Sequence, residues 1–169
     1  IPLQDDSSYT INQIKKTKNN SIDALFKHYW IINNFNHLYT NVGNKYGKSD
    51  FSTSEKQLLT NGTINDFASA GFGNDINYQL NDAYIGLEYK FKIGIWTNKP
   101  GLYFHWYDLK TQQLDANYRL SKTLFQPQFT SELEFNKSES LEFNYRLEND
   151  FPDANLLANR FSLQGYNSV

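Results

Sequence analysis

The chain has 169 residues, and its formal net charge of −2 gives no basic surplus of the kind that indicates a nucleic-acid partner. It contains no Cys, which excludes disulfides, thiolate metal sites and thiol nucleophiles. The mean hydropathy of −0.66, without an apolar run of about 18 residues, excludes a helical membrane protein. The strands of a membrane barrel alternate and average out as polar, so that class stays open.

The length favours a single domain over 1–169. There is no Met at any position and no signal-peptide pattern at the start, and the chain stops at Asn-Ser-Val without a closing element. We therefore expect a segment of a longer protein. Aromatic residues make up 17% of the chain, which fits the aromatic girdles of an outer-membrane barrel and equally a carbohydrate-binding sandwich.

Alternating apolar residues and turn signals predict strands in chain order. The predicted strands cover 8–17, 21–32, 37–47, 78–96, 101–119, 124–135 and 140–149. Turns are expected at 18–20, 33–36, 97–100, 121–123 and 136–139. Ser, Thr, Asn, Asp and Gly dominate 48–77, which predicts a long polar loop with a short helix at 63–70 as an option. A second long loop is predicted over 151–169, with Asp153 as the N-cap of a short helix.

The stretch from Tyr84 to Asp108 is the clearest hairpin. Its apolar residues recur at spacing two over more positions than a mean globular strand of about 5–6 residues offers, and this length suits a membrane. A four-residue turn at 97–100 would place Trp96 opposite Gly101. The expected pairs are then Ile95 with Leu102, Ile93 with Phe104, Phe91 with Trp106, Gly94 with Tyr103 and Lys92 with His105.

The same alternation separates two predicted surfaces. The residues predicted to face lipid are Ile85, Leu87, Tyr89, Phe91, Ile93, Ile95, Leu102, Phe104, Trp106, Leu133, Phe135, Leu141, Phe143, Tyr145 and Leu147. The residues predicted to face the lumen are Glu88, Lys90, Lys92, Tyr103, His105, Glu132, Glu134, Glu142, Asn144 and Arg146. In the second hairpin Phe135 is expected opposite Leu141 and Glu134 opposite Glu142.

Three groups of polar residues allow a chemical and a structural interpretation. The carboxylates Glu132, Glu134 and Glu142 could form an acid–base pair, but a charged lumen explains them better. Lys90, Lys92 and Arg146 could form a basic track for an anionic solute, against ordinary cross-strand pairing. Asp108 falls on the lipid side by strict alternation, so a bulge near Trp106–Tyr107 is expected to turn it inward.

No catalytic, metal-binding or cofactor-binding residue is predicted, no cofactor is expected, and the chain is not expected to be an enzyme. His28, His37 and His105 do not have the spacing of metal ligands.

Short connections alternate with longer ones, which is the plan of an outer-membrane barrel with tight turns at one end and large loops at the other. The predicted fold is all-β: an antiparallel up-and-down meander of about seven strands. It would be an incomplete arc of a large outer-membrane β-barrel with long extracellular loops.

Three stretches carry a family resemblance: 25–40 (LFKHYWIINNFNHLYT), 86–94 (GLEYKFKIG) and 151–169 (FPDANLLANRFSLQGYNSV). The first two resemble barrel strands of TonB-dependent receptors, and the third resembles an outer loop of the outer-membrane β-barrel family. The resemblance implies a Gram-negative outer membrane, a barrel of about 22 strands and a function in solute uptake. The partners implied are outer-membrane lipid, the remainder of the barrel, a plug domain and, through that plug, the inner-membrane TonB complex. A surface lipoprotein over the loops is an optional partner.

Two alternatives remain open at this point. A soluble β-sandwich carbohydrate-binding module would cover Ile85, Leu87, Phe91, Ile93 and Ile95 with a second sheet, whereas the barrel leaves them in an exposed band about 25 Å tall. An outer-membrane barrel enzyme would need a Ser/His/Asp or paired-acid cluster near one rim.

Overall fold

A computed structural model describes residues 3–5 and 9–163, with the backbone alone at Tyr9. The described residues form seven strands in one antiparallel sheet that curls into a half-barrel. The strands are β1 (Tyr9–Asn33), β2 (Asn36–Leu59), β3 (Ile64–Asp66), β4 (Asp75–Ile93), β5 (Trp96–Gln113), β6 (Ala116–Asn136) and β7 (Glu139–Arg146). Two short 3₁₀ helices occupy Phe67–Ala70 and Ala154–Leu157. The all-β meander and the incomplete barrel arc are therefore confirmed.

The spatial order is β1-β2-β4-β5-β6-β7, with the short β3 paired to the end of β2. Each long strand therefore pairs with the next long strand along the chain, which is the up-and-down plan. No helix among the residues described is long and apolar enough to cross a membrane. The assignment of 1–169 to one domain stays a prediction.

Several predicted boundaries are wrong because polar segments that look like loops in the sequence are strands in the structure. The turn at 18–20 does not exist: Lys18 pairs with Asp50 and Asn20 with Lys48, so 8–17 and 21–32 belong to one strand of 25 residues, with residue 8 outside the described part. The loop at 48–77 is mostly strand, since β2 runs to Leu59 and β4 begins at Asp75. The short helix of the second loop is a single 3₁₀ turn, and Asp153 makes no side-chain cap there. Of the predicted loop over 151–169, residues 164–169 lie outside the described part.

The first hairpin turns earlier than predicted. Gly94 and Ile95 form a two-residue turn, Ile93 pairs with Trp96, and 97–100 belongs to β5. Gly94 has φ +59°, the conformation that such a tight turn requires. All five predicted cross-strand pairs are consequently wrong: Leu102 pairs with Leu87, Phe104 with Ile85, Trp106 with Ala83, Tyr103 with Gly86 and His105 with Tyr84.

Two later hairpins also differ from prediction, one in the position of its turn and one in its register. The turn expected at 121–123 lies at Leu114–Asp115, and β6 runs unbroken through the predicted site. In the last hairpin Leu133, rather than Phe135, faces Leu141, and Glu132, rather than Glu134, faces Glu142. Strand β7 ends at Arg146, three residues before the predicted end at residue 149.

Candidate functional site

The two faces of the half-barrel differ in composition. The register keeps them separate except at irregularities next to two turns, between Ile31 and Asn33 and between Glu134 and Asn136. Ile85 pairs with Phe104, which pairs with Phe125, while the intervening Tyr84, His105 and Leu124 pair on the other face. We call the first the apolar face and the second the polar face. Residues that lie opposite each other across neighbouring strands are called a row.

In β4, at the centre of the sheet, side chains are more exposed on the apolar face. Ile85 is 40%, Leu87 51% and Ile93 63% exposed, whereas Glu88 and Tyr84 on the polar face are 6% and 8% exposed. A curled sheet crowds side chains on its concave side, so the polar face is the inner one. The described residues place no second sheet over these isoleucines, which is the opposite of what the sandwich requires.

All but two of the residues predicted to face lipid lie in strands on the apolar face. The exceptions are Ile95, which is in the two-residue turn, and Leu147, which follows β7. Every residue predicted to face the lumen lies on the polar face. Contact with lipid or with a lumen is a prediction that placement on a face does not test.

The apolar residues form a band of constant height. Its upper limit is the row of Ala83, Trp106 and Thr123, and its lower limit is the row of Ile93, Trp96 and Leu133. Strands β4, β5 and β6 each cross the band with eleven residues: 83–93, 96–106 and 123–133. Ten rises give about 33 Å along a strand, or about 25 Å along the axis of a barrel whose strands tilt by about 40°. The band therefore has the height of a bilayer core crossed by a barrel.

Polar residues inside the band bond to each other. Ser131 donates to Asn98 at 3.1 Å and accepts from the indole of Trp96 at 2.6 Å, and Asn98 is only 2% exposed. Tyr89 donates to Asn36 at 2.6 Å. Mutual hydrogen bonds lower the cost of placing such groups in an apolar environment.

Above the band the same face becomes polar and charged. The next row holds Asn81, Asp108 and Ser121. Asp108 accepts two hydrogen bonds from Arg119, at 2.7 and 3.2 Å, and lies 3.6 Å from the ammonium of Lys110. The bonds from Arg119 hold the pKa of Asp108 below its usual range. The predicted bulge is therefore wrong: the register is continuous, and Asp108 keeps its face because it lies beyond the band rather than opposite Tyr89.

Glu88 is the centre of the buried network on the polar face. Asn41 donates to it at 3.0 Å, Tyr103 donates its hydroxyl proton to the same oxygen, and Lys99 makes an ion pair with it. The ring of Tyr103 lies over Gly86, where a Cβ would collide with it. The expected aromatic-over-glycine device is therefore present, but at Gly86 rather than Gly94.

His105 extends this network upward. It is 2.8 Å from Asp82 and stacks on Tyr84 and Tyr107, with ring centroids 5.0 and 5.4 Å apart. Tyr107 in turn accepts a hydrogen bond from Gln126 at 3.1 Å. His105 thus contacts a carboxylate and two stacked tyrosine rings, an arrangement that differs from a nucleophile–base pair.

Charges on the lower polar face are largely paired. Lys92 bonds to Glu134 at 2.9 Å, and Arg146 bonds to Glu148 at 2.9 Å. The Lys92–Glu134 pair joins β4 to β6 and is the cross-strand pairing that was expected, whereas Arg146 pairs with a residue of its own segment. Glu132 lies opposite Glu142, which accepts from Asn144 at 2.7 Å. Among the described residues, no group of His, Asp and Glu could hold a metal ion.

A segment after β7 lies against the upper polar face, and we call residues 149–163 the strap. Its Ala154, 3% exposed, packs with Phe51, Ile76 and Tyr78. A cavity of about 730 Å³ lies between the strap and the sheet, lined by Tyr107 and other polar-face residues. The strap therefore narrows the inner space above the level of the band.

The end of the strap joins the connection between β2 and β4. The Arg160 guanidinium donates to the carbonyl oxygens of Phe72 at 2.9 Å and Ala68 at 3.4 Å. Phe161 forms a parallel bridge with Phe72, and their ring centroids are 5.7 Å apart. These contacts, with long sequence separation, had no signal in the sequence.

Glu55 is enclosed where the strap ends and is 1% exposed. Burial raises the pKa of this carboxyl, and its polar neighbours Leu163, Thr53 and Gln13 offset only part of that rise. Gln13 also donates to the carbonyl oxygen of Leu163, so β1, β2 and the strap meet at this point. Glu55 is not among the predicted site residues, because it falls in the predicted loop at 48–77.

No protein-family model matches the chain, and no curated protein matches it. Among solved structures, the chain is similar to the ferric citrate transporter FecA in its unliganded form, with a TM-score of 0.55 and 16% sequence identity. The match covers 83% of this chain and 21% of FecA, so the chain spans about a fifth of the length of that protein. At this identity the likeness is one of fold, and the fold is that of an outer-membrane β-barrel arc.

Proposed function

We propose that the chain forms part of the wall and the outer loops of a TonB-dependent-type receptor in the outer membrane of a Gram-negative bacterium, and that this barrel takes up solute. The band of constant height on the apolar face carries the proposal. FecA, which shares the fold, is a ferric citrate transporter. The solute of the present barrel is a separate matter, because fold does not specify it.

The two outer edges of the arc support a larger closed barrel. The free edges of β1 and β7 have no partner strand among the described residues. In hydrocarbon every backbone N–H and C=O needs a partner, so these edges would pair with the remainder of the barrel. A plug inside that barrel would contact the polar face, and the inner-membrane TonB complex would act through the plug.

Membrane contact is tested by the three tryptophans, which all lie on the apolar face at two depths. Trp106 and Trp96 mark the upper and lower limits of the band, and Trp30, opposite Leu38, lies near its middle. Each single-Trp protein is inserted into vesicles of phosphatidylcholine brominated at different chain depths. We expect Trp30 to be quenched most by deep bromines and the other two by shallow ones. Quenching that is absent, or independent of depth for all three, would exclude the membrane wall.

Orientation is tested by single cysteines, because the chain contains none. Ser69 lies in the connection between β2 and β4, and Ser138 lies in the turn at the opposite end of the sheet. We expect Ser69→Cys to react with an impermeant maleimide on intact Gram-negative cells. Ser138→Cys should react only after the outer membrane is permeabilised. The reverse result would place the short turns outside.

A receptor with a plug also differs from an open pore in conductance. In planar bilayers we expect the full-length barrel to carry no steady current, because the plug fills the lumen. A steady open-pore current would be compatible with a membrane-spanning wall, but it would show that the barrel is a diffusion channel and not a receptor with a plug.

A further inference from the structure

A row of cations crosses the outward face just above the apolar band. The register joins Lys48 to Gln79, Gln79 to Lys110 and Lys110 to Arg119. Lys110 and Arg119 therefore lie opposite each other, and Lys48 lies in the same row two strands from Lys110, beyond Gln79. Their side chains are 37%, 54% and 65% exposed. We call Lys48, Lys110 and Arg119 the cationic row.

The height of Lys110 above the band matches a lipid headgroup layer, and the other positions of the row differ in height by about 3 Å per strand at a tilt of about 40°. Lys110 is four residues beyond Trp106, which marks the upper limit of the band. Four rises are about 13 Å along a strand, or about 10 Å along the barrel axis at a tilt of about 40°. Headgroups occupy about 5–7 Å beyond the hydrocarbon on each side, and Lys and Arg side chains reach several ångströms toward that layer.

The charges of the row are only partly neutralised by the protein. Asp108 forms ion pairs with Arg119 and Lys110, and the carboxylate of Asp50 lies 3.7 Å from the ammonium of Lys48. One row higher, Lys18 adds a further exposed cation opposite Asp50. The four cations Lys18, Lys48, Lys110 and Arg119 therefore outnumber the two carboxylates, Asp50 and Asp108. Asp108 pairs with both Lys110 and Arg119.

The other rim lacks this arrangement. The three short turns there are Asn34–Phe35, Gly94–Ile95 and Lys137–Ser138, and Lys137 is their single cation. The band at that end finishes with Ile93, Trp96 and Leu133 rather than with a charged row. The two rims thus differ in the headgroup chemistry that they can contact.

We propose that the cationic row binds the phosphate groups of anionic lipids at the upper rim of the barrel. The proposal rests on the membrane placement argued above and adds a ligand class and a leaflet to it. Phosphate oxygens accept charge-assisted hydrogen bonds from Lys and Arg, which are stronger than neutral ones. A cation near a membrane surface contributes about 1 kcal/mol of attraction, which is about fivefold in binding.

The test uses the complete barrel that contains this chain, inserted in vesicles, with Trp106 or Trp96 as its only tryptophan. Phosphatidylcholine vesicles receive either brominated phosphatidic acid or brominated phosphatidylcholine, and relative quenching gives the preference for the anionic lipid near each tryptophan. We expect a preference of about fivefold or more at Trp106, lost at high salt, and none at Trp96. Equal values at the two tryptophans would overturn the proposal.

Variants identify the groups responsible. The triple variant K48Q/K110Q/R119Q should lose the preference at Trp106. The control K27Q/K45Q/K122Q removes the same charge from the polar face and should keep it. If loss of Arg119 impairs folding, K48Q/K110Q retains the Arg119–Asp108 pair and should lower the preference to about fivefold or less, the contribution of one cation. A preference unchanged in K48Q/K110Q would contradict the proposal.

Failure of this inference differs from failure of the proposed function. If both lipids quench equally, the phosphate-binding proposal is wrong and the membrane-wall proposal stands. If neither lipid quenches, both proposals are wrong.

Discussion

At the scale of the residue, two glycines on the polar face differ in the room around them. A Cβ on Gly86 would collide with the Tyr103 ring, whereas one on Gly47 would meet nothing within 4 Å. We expect Gly86→Ala to lower the free energy of unfolding by about 1–3 kcal/mol, because Tyr103 must leave its place over the strand. The measurement is the urea midpoint of the protein in vesicles.

Gly47→Ala is the matched control and should stay within about 0.5 kcal/mol of the parent. Tyr103→Ala in the Gly86→Ala background should remove the collision, so the two changes should not add. Equal effects of the two glycine substitutions would contradict this account of Gly86.

Glu55 provides the pH dependence. Burial raises its pKa above the unfolded value near 4.5, so its contribution to stability is present below that pH and is lost as the pH rises through the folded pKa. We therefore expect Glu55→Gln to match the parent at pH 4 and to be more stable at pH 8. Urea midpoints at the two pH values check this. A Gln variant that is less stable than the parent at pH 8 would show that the ionised carboxylate is favourable.

At the scale of the element, the strap depends on Arg160. Its two hydrogen bonds to backbone carbonyls join the strap to the connection between β2 and β4. Hydrogen bonds from a charged group contribute about 1.5–3 kcal/mol, so Arg160→Ala should raise the rate of proteolysis within the strap by tenfold or more. Leu156→Ala is the control, because Leu156 belongs to the same segment and is 72% exposed. Equal cleavage of both variants would mean that Arg160 does not hold the strap.

The central hairpin shows which features of a strand pair could be predicted from the sequence. The two faces were predictable because the predicted and observed registers of the central hairpin differ by an even number of residues, and an even shift keeps every side chain on its face. The partners were not predictable, since an alternating pattern fits each such shift equally. Pro100 suggested the turn, but the positive φ of Gly94 decided it.

The upper strands were missed for a different reason. Between 48 and 59 both faces of β2 carry polar residues, because one meets water and the other meets the polar interior beneath the strap. A strand without alternation cannot be told from a loop by its sequence pattern. Hydrogen bonds to the neighbouring strands keep residues 48–59 extended, and those partners are distant in the sequence. The burial of Glu55 and the contacts of Arg160 depend on this strand, so they could not be predicted either.

At the scale of the whole molecule, the cost of a charge should depend on its height on the outer face. Leu87 lies in the middle of the band, and Gln112 lies above the cationic row on the same face. We expect Leu87→Arg to lower the free energy of unfolding in vesicles by about 2–4 kcal/mol and Gln112→Arg by about 0–1 kcal/mol. Urea midpoints measure both. Similar values for the two sites would argue against a hydrocarbon layer at the level of Leu87.

Strand β1 has 25 residues, but fewer than half of them lie at the level of the hydrocarbon. The surplus projects to one side as hydrogen-bonded sheet, not as free loops. A molecule approaching from that side would first enter a stiff-walled vestibule well clear of the lipid. In such a vestibule short insertions would disturb a ladder shared by neighbouring strands, so variation among related chains should concentrate in the strap and in the connection after β2.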